Sequence, residues 1–228
     1  MPDAQIYIQD FMRTEKPRPQ SSAVRRHAPK LGNPTPLGLS AFALSVMVVS
    51  IYNLFNSTPH VVVGVSLFTG GVVQFAAGMW EFKVGNTFGG TGFSAFGGFW
   101  ASFGVLYIPA FGIQAAYGAD DLNNLSGQIA YNNALGVYCI AWLIFTFIFT
   151  LACMRTNVGV LSAFIFLTMT FGALVIFHFT RTIFFLRIAG ALGLITSSIV
   201  WYCLAATLLT PDLSPISLPL GDLSRKDK

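Results

Sequence analysis

Histidine, cysteine and carboxylate side chains carry most enzymatic chemistry and hold most metals, and this chain spreads them thinly. His27, His60 and His178 are far apart in the sequence, and no HExxH, GxSxG or Walker-type Gly-rich Lys motif occurs. Catalysis needs a nucleophile, a metal cluster or a carboxylate pair facing one cavity. None is visible, so an enzyme, a metal site and a cofactor are not expected. Cys139, Cys153 and Cys203 match neither a disulfide framework nor a zinc spacing, and read as small apolar filling. Glu81 is the one carboxylate that comes close to the middle of an apolar stretch. Beside Lys83, it reads either as an interfacial ion pair or as a group at a pore mouth. His178, near the end of another such stretch, reads as a hydrated interfacial side chain or a proton-linked one.

Neutral polar groups say more as a set. Ser45, Ser50, Asn53, Gln74, Ser94, Thr168, Thr170, Ser197 and Ser198 all fall within apolar stretches. They suit hydrogen bonding between helices, or the lining of a weakly polar path. Such a lining fits a neutral solute, or an anion paired to a proton, better than a bare cation that needs rings of acid. Two Gly- and Pro-containing segments stand out: Gly32–Phe42 and Gly85–Trp100. Proline fits a first helical turn, where no amide donor is needed, and Asn33 is placed like an N-cap before Pro34. The free amides and positive end of such a turn attract a carboxylate; plain helix initiation is the alternative.

The elements that would position these residues follow from composition. Of 228 residues, 54% are hydrophobic and 10% charged, and the mean hydropathy is +0.65. Soluble domains carry roughly 25% charge, so the solvent that covers this chain is lipid. Asp, Glu, Lys and Arg are absent from 31–80, 84–119, 122–154, 156–180 and 188–211. A helix crosses the hydrocarbon core in about 20 residues. Dividing the blocks at turn signals predicts six spans: Leu37–Phe55, Val61–Trp80, Phe93–Ala115, Ala134–Met154, Gly159–Phe179 and Phe184–Leu209. The fold class is therefore an all-α, six-transmembrane-helix bundle. Residues 1–32 are expected to be a disordered basic cytoplasmic tail, 33–211 the transmembrane domain, and 212–228 a short cytoplasmic C-terminal tail. No cleavable signal peptide opens the chain, so the first helix is expected to direct insertion.

With the N-terminus inside, the cytoplasmic segments hold Arg13, Lys16, Arg18, Arg25, Arg26, Lys30, Lys83, Arg155, Arg225, Lys226 and Lys228, against Arg181 and Arg187 on the other side. That bias places both termini in the cytoplasm. The long loop Tyr117–Asn133, with Asp120 and Asp121, is then external. Clustered glycines, among them Gly70, Gly71, Gly97, Gly98, Gly190 and Gly193, predict closely packed helices.

At its two Gly/Pro segments the chain resembles the acetate uptake transporter family, which includes bacterial succinate-acetate permeases and fungal acetate and ammonia-export proteins. Asn33 to Phe42 matches that family's Asn-Pro-(Ala/Val)-Pro-(Leu/Phe)-Gly-Leu-x-(Gly/Ser/Ala)-Phe opening, with Thr35 at the usual Ala or Val position. Glu81-Phe82-Lys83-Val84-Gly85-Asn86-Thr87-Phe88-Gly89 matches Glu-Tyr-Lys-x-Gly-Asn-Thr-Phe-Gly, and Leu218-Pro219-Leu220-Gly221 is a weaker echo. The resemblance runs from about residue 32 to 222. It implies a channel-like protomer in a homohexamer, with Phe42, Phe96 and Leu167 forming an apolar constriction. It also implies substrate contacts at Asn33, Gln74, Asn86 and Thr87, and Glu81 at a pore mouth. Phe96 stands where bacterial members often have Tyr. The implied function is a plasma-membrane transporter or channel for acetate and similar small monocarboxylates. It would be proton-linked, with lipid as its surroundings and no nucleic acid partner. Ammonia or ammonium export is the alternative, and a non-transporting sensor or scaffold is a third that the short soluble regions disfavour.

Overall fold

The computed structural model describes residues 31–55 and 60–224. Most of the basic segment expected over 1–32 lies outside them, as do the last four residues, Arg225, Lys226 and Lys228 among them. From Asn33 onward the chain is one compact unit of six long helices: α1 Thr35–Phe55, α2 Val62–Lys83, α3 Thr87–Val105, α4 Leu125–Ala152, α5 Val158–Thr180 and α6 Ile183–Leu208. All but α3 are long and apolar enough to cross a bilayer by composition alone. In α3, 19 residues long, repeated glycines dilute the apolar content. The all-α class holds; among the described residues the one β contact is a single bridge between Asn157 and Asp222.

Helix α2 changes character along its length. Val62–Gly64 is α-helical, Val65–Val73 takes the wider π form, and Gln74–Lys83 returns to α. Around the bundle the neighbours run α3, α2, α1, α6, α5, α4. Aromatic contacts close the ring between α3 and α4, with Phe99 and Trp142 centroids 4.9 Å apart, and Phe96 also reaches Phe164 of α5. The close approach expected from glycine is real between α2 and α3: a Cβ at Gly97 would come within 2.8 Å of the Phe75 backbone nitrogen. The three cysteines are buried and free, consistent with their reading as filling.

Two helices depart from their expected bounds. The third begins at Thr87 rather than Phe93, because the Asn86 side chain caps it by accepting from Gly89 N at 3.0 Å. It ends at Val105 rather than Ala115, because Pro109 holds Ile108 extended (φ −94°, ψ 111°). The fourth begins at Leu125 rather than Ala134, capped by Asn124, whose Oδ1 accepts from Gly127 N at 3.0 Å. Half of the expected Tyr117–Asn133 loop is therefore helix.

The C-terminal segment folds back onto the start of α5. Val158 N donates to Gly221 O at 2.8 Å, Gly159 N to Leu220 O at 3.3 Å, and Leu223 N to Thr156 O at 3.1 Å. Tyr202 Oη donates to Pro219 O at 2.6 Å. Asp222, exposed beside this strap, has its carboxyl held below the usual range by the backbone N–H and hydroxyl of Ser224.

Candidate functional site

Helices α1, α3 and α5 all start at one end of the bundle, and each start is organised by asparagine. Asn33 Oδ1 accepts from Thr35 N at 3.1 Å, Asn86 Oδ1 from Gly89 N, and Asn157 Oδ1 from Val160 N at 2.9 Å. Behind these caps lies a cavity of about 320 Å³ whose polar lining is Thr35, Asn86, Thr156, Asn157 and Thr207, with Leu220 of the strap beside them. Towards the other end lies a second cavity of about 200 Å³, with Tyr52, Asn53, Tyr107, Tyr138 and His178 in its wall. Phe42, Phe96 and Leu167 belong to the walls of both cavities. All three are buried, and the Phe42 and Phe96 rings meet edge to face with centroids 5.2 Å apart. Trp142 and Phe145 of α4 pack on the far side of Phe96, at 5.8 and 5.4 Å.

Among the described residues, neither wall contains Asp, Glu, Lys or Arg. The electrostatic character of the asparagine-rimmed cavity comes instead from three helix N-termini, whose dipoles favour a negative charge. The amides behave differently from expectation. At α1, Pro34 and Pro36 have no N–H and Thr35 N is taken by Asn33, so that turn offers no free amide. At α5 the strap carbonyls and Asn157 take Val158, Gly159 and Val160. The first amides of α3, at Thr87 and Phe88, precede the one its Asn86 cap engages.

The other sequence-predicted residues scatter. Asn33 and Thr87 are exposed at the helix starts, outside both walls. Gln74 is fully buried, also outside both walls, and neither end of its amide has a partner among the described residues. Glu81 is 1% exposed. Its reading as an ion pair with Lys83 gives way to neutral partners, because Thr35 Oγ1 donates to one carboxylate oxygen at 2.5 Å and Asn86 Nδ2 to the other at 2.6 Å. Glu81 thus ties the first motif segment to the second from behind the cavity rim. His178 lines the second cavity, and its Nδ1 lies 3.3 Å from Asn132 Oδ1.

Of the neutral polar set, Ser50, Asn53 and Thr170 reach a cavity wall; Ser197 donates to Ala43 O at 2.8 Å, and Thr168 pairs with Thr150 at 2.9 Å. Sequence reasoning missed Asn157, Thr156 and Tyr138. Asn157 carried a usable signal, an asparagine just before an apolar run. Tyr138, whose hydroxyl pairs with Ser102 at 2.7 Å, carried none.

Two cavities meeting at a buried aromatic and leucine ring, inside a six-helix bundle with apolar outer faces, define a multi-pass membrane protein of channel type. The chain belongs to the GPR1/FUN34/yaaH family, whose model matches residues 14–225. It is similar to the ammonia transport outward protein 2 of Saccharomyces cerevisiae, 42% identical over 201 residues, covering 85% of this chain and 69% of the relative. It is also similar to acetate permease A of Emericella nidulans, 34% identical over 204 residues, covering 85% and 67%. Among solved structures it matches the bacterial acetate channel SatP with a TM-score of 0.72 and 29% identity, over 84% of this chain and all of that one.

Proposed function

We propose that this chain passes acetate and similarly small monocarboxylates across the plasma membrane, linked to protons, with both termini cytoplasmic and six protomers in a ring. The observation that supports this reading is a pair of cavities, without Asp, Glu, Lys or Arg among their described wall residues, whose walls share Phe42, Phe96 and Leu167. The solute collects in the asparagine-rimmed cavity, where the N-termini of α1, α3 and α5 converge and the side-chain amides of Asn86 and Asn157 offer N–H donors, the Thr35 and Thr156 hydroxyl protons being held by Glu81 and Cys153 O. In this reading it sheds water at the ring and emerges among Tyr138, Asn53 and His178. Moving a polar group into apolar surroundings without compensation costs roughly 2–7 kcal/mol, and a bare charge more. Passage is therefore favoured for an acid that carries its proton.

The test is exchange of labelled acetate in proteoliposomes against protein-free vesicles. Uptake is expected to exceed the protein-free rate and to rise as external pH falls towards the acid's pKa. A protein-dependent rate that is flat between acid and neutral pH sinks the proton link; no protein-dependent rate sinks the carboxylate reading. Ammonia export is a second reading, favoured by the 42% identity to the yeast ammonia protein. It requires methylammonium flux above the protein-free rate in the same vesicles.

A further inference from the structure

Behind the cavities, where α2 packs between α1 and α3, the bundle hides unpartnered polar atoms, one of them on Trp100, a residue that also belongs to the wall of the second cavity. Ser45 Oγ, Ser66 Oγ, Trp100 Nε1 and both ends of the Gln74 amide are buried without a protein partner among the described residues. Ser45, Ser66, Gln74 and Glu81 lie outside both cavity walls. Elsewhere in this bundle buried hydroxyls bond back along their own helix: Thr170 to Phe166 O at 2.8 Å and Thr196 to Leu192 O at 2.9 Å. Ser45 and Ser66 make no such bond. A buried group left unpaired costs about 1–3 kcal/mol, and ordered water is the usual partner of such groups.

These atoms are in line. Ser66, Gly70, Gln74, Gly78 and Glu81 recur every three or four residues and are all buried, so they form one face of α2. Ser66 stands against Gly104 near the end of α3. Gly70 leaves the space in which α1 and α3 meet the face: a Cβ there would come within 2.7 Å of Ser45 Oγ and strike the Trp100 ring. Gln74 follows one turn on, Ser94 Oγ sits against Gly78, and Glu81 closes the row. Successive turns are about 5 Å apart, close to the span of one water bridging two groups through hydrogen bonds of about 2.8 Å each. The upper part of this face is also the π-form stretch, a feature found often at functional sites.

We propose that the α1–α2–α3 seam holds a file of waters strung on Ser66, Ser45, Gln74 and Ser94 that conducts protons to and from Glu81, by a route separate from the solute's. The side chains hold the waters, and the waters pass the proton. An excess proton entering beside Ser66 hops along the O–H bonds of the file and adds to the Glu81 carboxylate; its release at the Thr35 and Asn86 end restores the anion. No other species is consumed. Among the described residues of the elements packed on Glu81, α1 and α3 carry one titratable side chain, Tyr52, at the far end of α1. Lys83, on Glu81's own helix, is exposed.

The purified full chain in liposomes holding a pH-sensitive dye tests this with no carboxylate present, protons being driven inward by a potassium gradient and valinomycin. Protein-containing vesicles are expected to acidify at least about tenfold faster than empty ones, and Ser45→Ala/Ser66→Ala or Glu81→Gln to remove about tenfold, a barrier change near 1.4 kcal/mol. The serine variant is expected to keep labelled-acetate exchange within about twofold, and Leu167→Phe to show the reverse, slowed exchange with unchanged proton flux. Ser66→Ala alone gives the same readout if the double variant does not fold. Acidification at the rate of empty vesicles overturns the proposal. So does a serine variant that conducts like the parent, or one whose acetate exchange falls in step with its proton flux. Loss of acetate exchange alone would instead count against the carboxylate reading.

Discussion

Helix α1 has two working faces, and they are built of opposite materials. Thr35, Leu39, Phe42, Val46, Val49 and Asn53, spaced by three and four, turn towards the cavities; Ser45, one position short of Val46, turns towards α2 and Gly70. Helix α3 divides in a similar way, with Phe96, Phe99 and Phe103 on the cavity side, Ser94 and Gly97 against α2, and Trp100 reaching both. The open route is walled by aromatic rings, whereas the closed seam holds the unpaired polar atoms. A polar seam that hydrogen-bonds can stay packed, while an apolar ring has no group to hold a solute and so opposes it through dehydration alone. On the function proposed above, selection and binding are separated in space: the asparagine rim attracts, and the ring rejects.

Substitutions that move one region towards the character of the other break or sharpen this contrast. The largest effect is expected from Glu81→Leu, which leaves Thr35 and Asn86 without their shared acceptor. A buried donor that loses its partner costs about 1–3 kcal/mol, so two should lower the unfolding midpoint in detergent far more than Glu81→Gln, which keeps an acceptor. Equal midpoints for the two variants would show that the node does not join the motif segments energetically. Next, Phe42→Ala opens the ring between the cavities. Uptake of three- and four-carbon acids is expected to rise relative to acetate, and an unchanged substrate profile would refute the gate.

Phe96→Tyr brings a hydroxyl into the ring among Phe42, Trp142 and Phe145. If a carboxylate passes there, the KM for acetate should fall about fivefold, the worth of one ordinary hydrogen bond near 1 kcal/mol; a raised KM would mean that the hydroxyl only disturbs packing. The smallest effect is expected from Asn157→Ala, which removes one cap on the cavity rim, typically about 1 kcal/mol. It should lower the unfolding midpoint by a few degrees and leave the acetate-to-larger-acid ratio unchanged. A changed ratio would move selection from the ring to the rim.

Much of this molecule was readable before its structure. Five charge-free blocks, separated by Glu81, Lys83, Asp120, Asp121, Arg155, Arg181 and Arg187, marked the six crossings once the first was divided at its turn signal. The motif segments at Asn33 and Gly85 indicated which helices would face the route. Helix ends were less legible where local chemistry outweighed hydropathy: Asn86 and Asn124 start their helices among residues that look like loop, and Pro109 ends one within a run that looks like span.

The polar residues show where sequence reading stopped. Hydropathy marks Ser50, Gln74 and Ser197 alike as polar positions in apolar helices, yet Ser50 faces a cavity, Gln74 a packed seam and Ser197 a backbone carbonyl. Composition determined that the chain lies in lipid and crosses it six times, and the family resemblance implied that Phe42, Phe96 and Leu167 form a ring. The rotation of each helix about its axis was decided only by tertiary packing. A turn of about 100° per residue means that adjacent positions point in different directions, and which direction is inward depends on the neighbouring helices. For the same reason Glu81, which read as an interfacial ion pair with Lys83 or a group at a pore mouth, lies buried between Thr35 and Asn86, holding together two segments that are 46 and 5 residues away along the chain.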